Sequence, residues 1–161
     1  MTTAHTTEQL LIVAMQDLAD AELAWGERGA RMRDGSGGRV AAFLDGDLGR
    51  SAAQRGRLVE LIERLGAKIE GDANIWLRAI LDDARRDIAS TAAGPLRDTA
   101  LIGAFRKGKQ AERVSYETAI ALAERIGLAE AATALTACRD EEAGADAELA
   151  ALLGETVGRL R

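Results

Sequence analysis

The segment IGAFRKGKQAERVSYETAIALAERIG, residues 102–127, decides the fold. Steps of three and four along it select the stripe of residues that would face the core of a helical bundle. That stripe is Ile102, Phe105, Lys109, Glu112, Tyr116, Ala119, Ala123 and Ile126. Apolar residues stand at both ends of the stripe, and a lysine and a glutamate stand one turn apart near its middle. The segment therefore predicts a long helix whose buried face carries charge near its centre.

Three further segments show the same kind of stripe. We predict a first long helix over residues 6–33, a second over 39–65, a third that extends from Pro95 through the opening segment, and a fourth from residue 128 to 154 or beyond. The polar interruptions are Glu22 in the first helix, Asp47, Arg50 and Gln54 in the second, and Glu142 with Asp146 in the fourth. Each interruption falls near mid-length, so we expect all four to meet in one buried layer.

The connections between these helices differ in length. Residues 34–38 and Gly127 are tight links, whereas residues 67–94 form a long one that contains a short amphipathic helix at about 73–89, which Asp72 would cap. A helix of about 27 residues spans roughly 40 Å, so a connection that returns to its start needs comparable reach. One long crossover in a four-helix bundle is the ferritin-like arrangement. We therefore predict an all-α, ferritin-like four-helix bundle with a short crossover helix between the second and third long helices.

Length and composition set the remaining limits. The 161 residues suit one domain over 1–161, with residues 1–6 as a flexible N-terminus and 67–94 as the crossover segment. A net charge of -5 argues against nucleic acid as a partner, and the single cysteine permits no internal disulfide. There is neither a signal-like N-terminus nor an apolar stretch of about eighteen residues. We expect a soluble, cytoplasmic protein without a membrane partner.

The charged layer allows two interpretations. Buried carboxylates are unfavourable by several kcal/mol each unless cations or metals pair with them. Di-metal bundles use a Glu from each of two helices and a Glu-x-x-His pair from each of the other two, but the only histidine here, His5, lies in the N-terminal segment. Arg50 and Lys109, with Gln54 beside them, would instead compensate the carboxylates in a salt-bridge network without metal.

Several short motifs are similar to one known family. They are Asp17–Glu22, Leu61–Gly66, Arg97–Ile102 with Lys107, Glu112, Tyr116 and Thr118, Gly127-Leu128, and Asp140–Glu142 with Asp146. In this order and spacing, from about Thr7 to Leu152, the chain resembles the YciE/YciF family of bacterial ferritin-like proteins. The resemblance implies a four-helix bundle with a crossover helix, a homodimer, an association with stress responses and a carboxylate-rich metal site.

When the family's ligand positions are transferred to this sequence, the resemblance implies metal ligands at Glu22, Glu112, Glu142 and Asp146. The chain has Gly49 or Arg50 where the family usually has a Glu in the second helix, and Lys109-Gln110 where it usually has Glu-His in the third. Two functions follow. The first is a stress-associated structural or interaction protein, non-enzymatic, with a degenerate metal site and no cofactor. The alternative is a di-iron or di-manganese protein with oxidoreductase, peroxide-handling or iron-oxidising activity, in which Asp47 is a substitute ligand. Neither hypothesis names a catalytic residue.

Overall fold

The computed structural model describes residues 3–160, so the first two residues of the predicted flexible N-terminus lie outside it. Five α-helices follow one another along the described chain. They are α1 (Thr7–Met32), α2 (Gly38–Arg64), α3 (Ile75–Ser90), α4 (Pro95–Arg125) and α5 (Ala129–Val157), with a 3-10 turn at Arg33–Gly35 between α1 and α2. The four long helices and the short crossover helix predicted above are all present.

The helix ends follow local chemistry. Thr6 Oγ1 accepts the Gln9 amide at 3.1 Å and starts α1. The predicted cap of the crossover helix was wrong: Asn74, two residues after Asp72, caps α3 by accepting the Leu77 amide at 2.9 Å. At the end of α2, Gly66 has φ +69°, a left-handed conformation that a residue with a Cβ rarely adopts. In this conformation the backbone amides of the turn donate hydrogen bonds to the last carbonyls of the helix.

The long helices form a bundle with one long crossover. The tight links make α1 and α2 one antiparallel pair and α4 and α5 another, and the pairs pack together through α1 with α4 and α2 with α5. Helix α3 lies against α4 and α1 and returns the chain to the end of the bundle where α4 begins. This topology confirms the predicted all-α, ferritin-like fold.

The core consists of two apolar clusters. One joins the N-terminal half of α1 and the C-terminal part of α2 to the C-terminal part of α4 and the N-terminal part of α5, and includes Leu18, Leu58 and Leu135. The other lies around Trp25 and Phe105, with residues of α3 on its outer side. Between these clusters the core holds charged side chains, so the predicted polar layer lies at mid-height in the bundle.

Across residues 3–160, no helix has both the length and the apolar character that crossing a membrane requires.

Candidate functional site

Lys109 lies at the centre of the polar layer. Its Nζ is 3.0 Å from Asp47 Oδ2, 3.1 Å from Glu112 Oε2 and 2.9 Å from Glu142 Oε2, and none of these side chains is more than 1% exposed. Three helices therefore each direct a carboxylate at one ammonium group. The contacts have the distances of ion pairs, although their angles are not those of aligned hydrogen bonds.

Trp25 closes the apolar side of this cluster. Lys109 Nζ lies 4.4 Å from the centroid of the indole ring, within the range of a cation–π contact. Burial alone lowers the pKa of the Lys109 ammonium, but the attraction of Glu112, Glu142 and Asp47 outweighs it and holds that pKa well above its ordinary value. The lysine therefore carries a positive charge at neutral pH.

Glu22 lies beside the cluster and has its own partners. Its Oε2 accepts a hydrogen bond from Ser51 Oγ at 2.6 Å, and its Oε1 accepts one from Tyr116 Oη at 2.8 Å. Burial raises the pKa of this carboxyl to about 7, because the opposing attraction of Lys109 is weaker than the cost of desolvation. Glu22 is thus a buried carboxyl that exchanges its proton near neutral pH.

Negative charge exceeds positive charge in the fully buried part of the layer. Glu22, Asp47, Glu112 and Glu142 surround one buried cation, Lys109. Burial, followed by the neighbouring Glu142 carboxylate, raises the pKa of Glu112 well above its ordinary value. The layer therefore retains protons on its carboxyls, because like charges so close together in a water-poor core cannot all ionise.

Arg50 and Gln54, predicted as part of the compensating layer, lie at its margin. The Arg50 side chain is 36% exposed, and its guanidinium reaches Asp47 Oδ1 at 3.1 Å and Glu148 at 3.5 Å. Gln54 is buried, but its amide donates to Glu141 Oε2 at 3.0 Å and to the Cys138 carbonyl at 3.4 Å. The central compensation therefore belongs to Lys109, and Arg50 supports it from the solvent side.

The structure does not bring Asp146 to the cluster. Its carboxylate pairs with Arg106 Nε at 2.7 Å and with Gln110 Nε2 at 3.2 Å, and the side chain is 16% exposed. The Arg106 guanidinium lowers the pKa of Asp146 through this hydrogen bond. The other predicted ligand positions, Glu22, Glu112, Glu142 and Asp47, do converge.

Two participants were missed from the sequence. Ser51 lies four residues after Asp47, a step that returns to the same helix face as Arg50 does at three. The shorter Ser51 lies inward against Glu22, and the longer Arg50 lies at the margin. Which of the two faces inward depends on the rotation of the helix about its axis, and the spacing alone does not determine it. Trp25 is a buried residue of α1 three positions after Glu22, but nothing in that spacing indicates its contact with the lysine.

A two-metal centre does not fit this donor set. Carboxylate oxygens are suitable ligands for iron or manganese. Here, however, the Lys109 ammonium lies within ion-pair distance of the three carboxylates that would have to bind the ions. Within residues 3–160, no group of three or more His, Cys, Asp or Glu side chains has an arrangement suited to a metal ion. The carboxylates face a side-chain cation.

The position of Asp146 leads to a first prediction. We expect Asp146→Asn to lower the free energy of unfolding by about 1 kcal/mol or less, because a partly exposed ion pair contributes little. Urea denaturation at pH 7 measures it, and a double-mutant cycle with Arg106→Gln isolates the pair. A loss near 3 kcal/mol would place Asp146 energetically inside the buried cluster.

A second prediction concerns pH. Burial in the folded protein keeps the proton on Glu22 up to a pKa of about 7, whereas an exposed glutamate in the unfolded chain has a pKa near 4.5. Stability from this group is complete below pH 4.5 and is lost as the pH rises towards 7, by roughly 3 kcal/mol at about 1.4 kcal/mol per pH unit. Urea denaturation from pH 5 to 8 measures the slope.

Two glutamine variants test the origin of this slope. Glu22→Gln should flatten it relative to the wild type. Glu27→Gln, at an exposed position five residues further along α1, should leave the slope unchanged. Equal slopes for wild type and Glu22→Gln would contradict the assignment.

The fold and the layer together define a class: an all-α, ferritin-like four-helix bundle with a lysine–carboxylate cluster in its core. A family model described as "Domain of unknown function (DUF892)" matches residues 6–160. This match and the similarity to the YciF proteins described next show that the chain belongs to the YciE/YciF family, which confirms the resemblance.

The relatives cover the chain to different extents. Protein YciF of Escherichia coli (strain K12) is 31% identical over 106 residues, which are 61% of this chain and 64% of that protein, slightly less than two thirds of its length. The crystal structure of the E. coli stress protein YciF matches at a TM-score of 0.92 with 26% identity, over 98% of this chain and 100% of that chain. YcfI from Rhodopseudomonas palustris, described as a candidate structural protein, matches at a TM-score of 0.85 with 25% identity, over 90% and 93% of the two chains.

Proposed function

We propose that this chain is a stress-associated, non-enzymatic structural or interaction protein whose metal site is degenerate, because a lysine supplies the cation. One observation carries the proposal: Lys109 Nζ lies 2.9 to 3.1 Å from three buried carboxylates on three helices. An ammonium held in this way neutralises charge that a divalent ion would otherwise neutralise, and it offers no open coordination position to a substrate.

The relatives support the stress-associated, structural role in this proposal. The similar E. coli protein is described as a stress protein and the R. palustris protein as a candidate structural protein. The same family membership motivates the expected homodimer, which remains a prediction that sedimentation equilibrium tests.

The alternative, a di-iron or di-manganese oxidoreductase, draws on the convergence of Glu22, Asp47, Glu112 and Glu142 in one layer. Metal analysis separates the two. The protein is purified without chelator, and its iron and manganese are measured beside Glu22→Ala and Glu142→Ala. We expect metal far below one ion per chain in all three, and ferrous oxidation with added iron no faster than in buffer.

Near-stoichiometric metal in the wild type that is lost in both alanine variants would overturn the proposal in favour of the di-metal alternative. Exposed Glu27→Ala is the matched control, because it removes a carboxylate from the same helix outside the core.

A further inference from the structure

Tyr116 is the only tyrosine of the chain, and it takes no part in the ion pairs of Lys109. Its side chain is fully buried and its hydroxyl donates to Glu22 Oε1 at 2.8 Å. The second oxygen of that carboxylate is held by Ser51 at 2.6 Å, which fixes its orientation. The three ion-pair contacts of Lys109 are with other carboxylates, so Glu22 is not one of its direct partners.

A phenol beside a fixed carboxylate has a defined chemical capacity. Burial, followed by the Glu22 charge, raises the pKa of Tyr116 well above its ordinary value, so the side chain stays a neutral phenol. Removal of one electron makes a phenol a strong acid, and its proton then moves to a base within hydrogen-bond distance. Glu22 is such a base, at 2.8 Å.

The other oxidisable side chains of the core lack this arrangement. Lys109 lies 4.4 Å from the Trp25 ring and repels a positive charge on it, and Trp25 Nε1 has no acceptor within residues 3–160. The Cys138 sulfur accepts a hydrogen bond from the Arg57 guanidinium at 3.3 Å. That guanidinium is a donor, so it cannot act as a base for the thiol proton. Trp76 does donate to Asp17 at 3.0 Å, but it lies nearer the surface, where water reaches a radical.

We propose that Tyr116 is a redox-active side chain that gives one electron to an oxidant of the oxygen-radical class while its phenolic proton moves to Glu22 Oε1. The products are a neutral tyrosyl radical, a protonated Glu22 and the oxidant reduced by one electron. The O–H bond of the phenol breaks and an O–H bond forms on the carboxylate. No metal takes part, and the inference goes beyond the structural role proposed above.

The experiment uses photogenerated tris(bipyridine)ruthenium(III), a one-electron oxidant, with freeze-quench electron paramagnetic resonance at pH 8. In the wild type we expect a tyrosyl signal whose formation slows in deuterium oxide. Tyr116→Phe should abolish it. Glu22→Gln, which keeps an acceptor oxygen but cannot take the proton, should lower the yield about tenfold and remove the isotope effect.

Exposed Glu27→Gln is the matched control and should behave as the wild type. A radical that resides on tryptophan or sulfur would overturn the proposal, as would a tyrosyl yield that is equal in Glu22→Gln and wild type. The wild-type isotope effect decides the matter even if a variant folds poorly: a tyrosyl signal that forms equally fast in water and in deuterium oxide also overturns the proposal.

Discussion

Replacement of Lys109 by methionine is expected to lower the free energy of unfolding by about 3 to 5 kcal/mol at pH 7, a large share of the roughly 5 to 15 kcal/mol that holds a domain together. Methionine keeps much of the length and apolar stem of lysine, so little volume is lost. What disappears is the cation that lies within 3.1 Å of Asp47, Glu112 and Glu142. Urea denaturation measures the loss, and Lys107→Met, at an exposed position two residues earlier, is the matched control.

The reason for the loss can be tested with the same variant. If uncompensated carboxylates cause it, the loss should shrink as the pH falls from 7 to 5, because the folded protein takes up protons in their place. Adding Glu112→Gln and Glu142→Gln to Lys109→Met should likewise restore part of the stability, since fewer buried charges then lack a partner. A loss equal to that of Lys107→Met would show that the buried ion pairs contribute nothing.

Lys109→Glu is expected to convert the layer into a metal site. The change removes Lys109, the only fully buried cation among residues 3–160, and adds an oxygen ligand to Glu22, Asp47, Glu112 and Glu142. The metal-free variant should be strongly destabilised. Manganese at about a hundred times its dissociation constant should restore about 2.7 kcal/mol, seen as a rise in Tm.

Variants of Arg50 distinguish the effect of the central cation, Lys109, from that of the cation at the margin of the layer. Its side chain is 36% exposed, so Arg50→Glu alone should not create metal binding, and the double variant with Lys109→Glu should gain little beyond the single one. Isothermal titration with manganese measures this, and Lys107→Glu controls for added surface charge. If both Lys109→Glu and the double variant fold but bind no metal, the lysine does not occupy a cation position.

Most of the fold could be predicted from the sequence because helical periodicity is a local signal. Alternating steps of four and three from Leu11 to Met32 reach only buried residues of α1, and Gly66 follows the C-cap of α2 by one residue. The start of α3 was misplaced by two residues because Asp72 and Asn74 are both good capping residues. Only the packing against Asp17 and Asp20, which Asn74 contacts, distinguishes them.

The site could be predicted to the level of the layer but not of the contacts. Spacing brought Lys109, Glu112, Glu142 and Glu22 to one height, and the structure brings them together. It could not separate Arg50 from Ser51, since steps of three and four reach the same face. Nor could it exclude Asp146, which lies one turn beyond Glu142 but rotates towards Arg106. These choices depend on helix rotation, which tertiary packing sets.

A crystal grown with excess manganese, with anomalous diffraction collected at the manganese edge, shows directly whether Lys109 or a metal ion holds the cation position. We expect no anomalous peak in the bundle core, and Lys109 Nζ within ion-pair distance of Asp47, Glu112 and Glu142, at the 2.9 to 3.1 Å found here. A peak coordinated by Glu22, Glu112 and Glu142, with the lysine displaced, would contradict it.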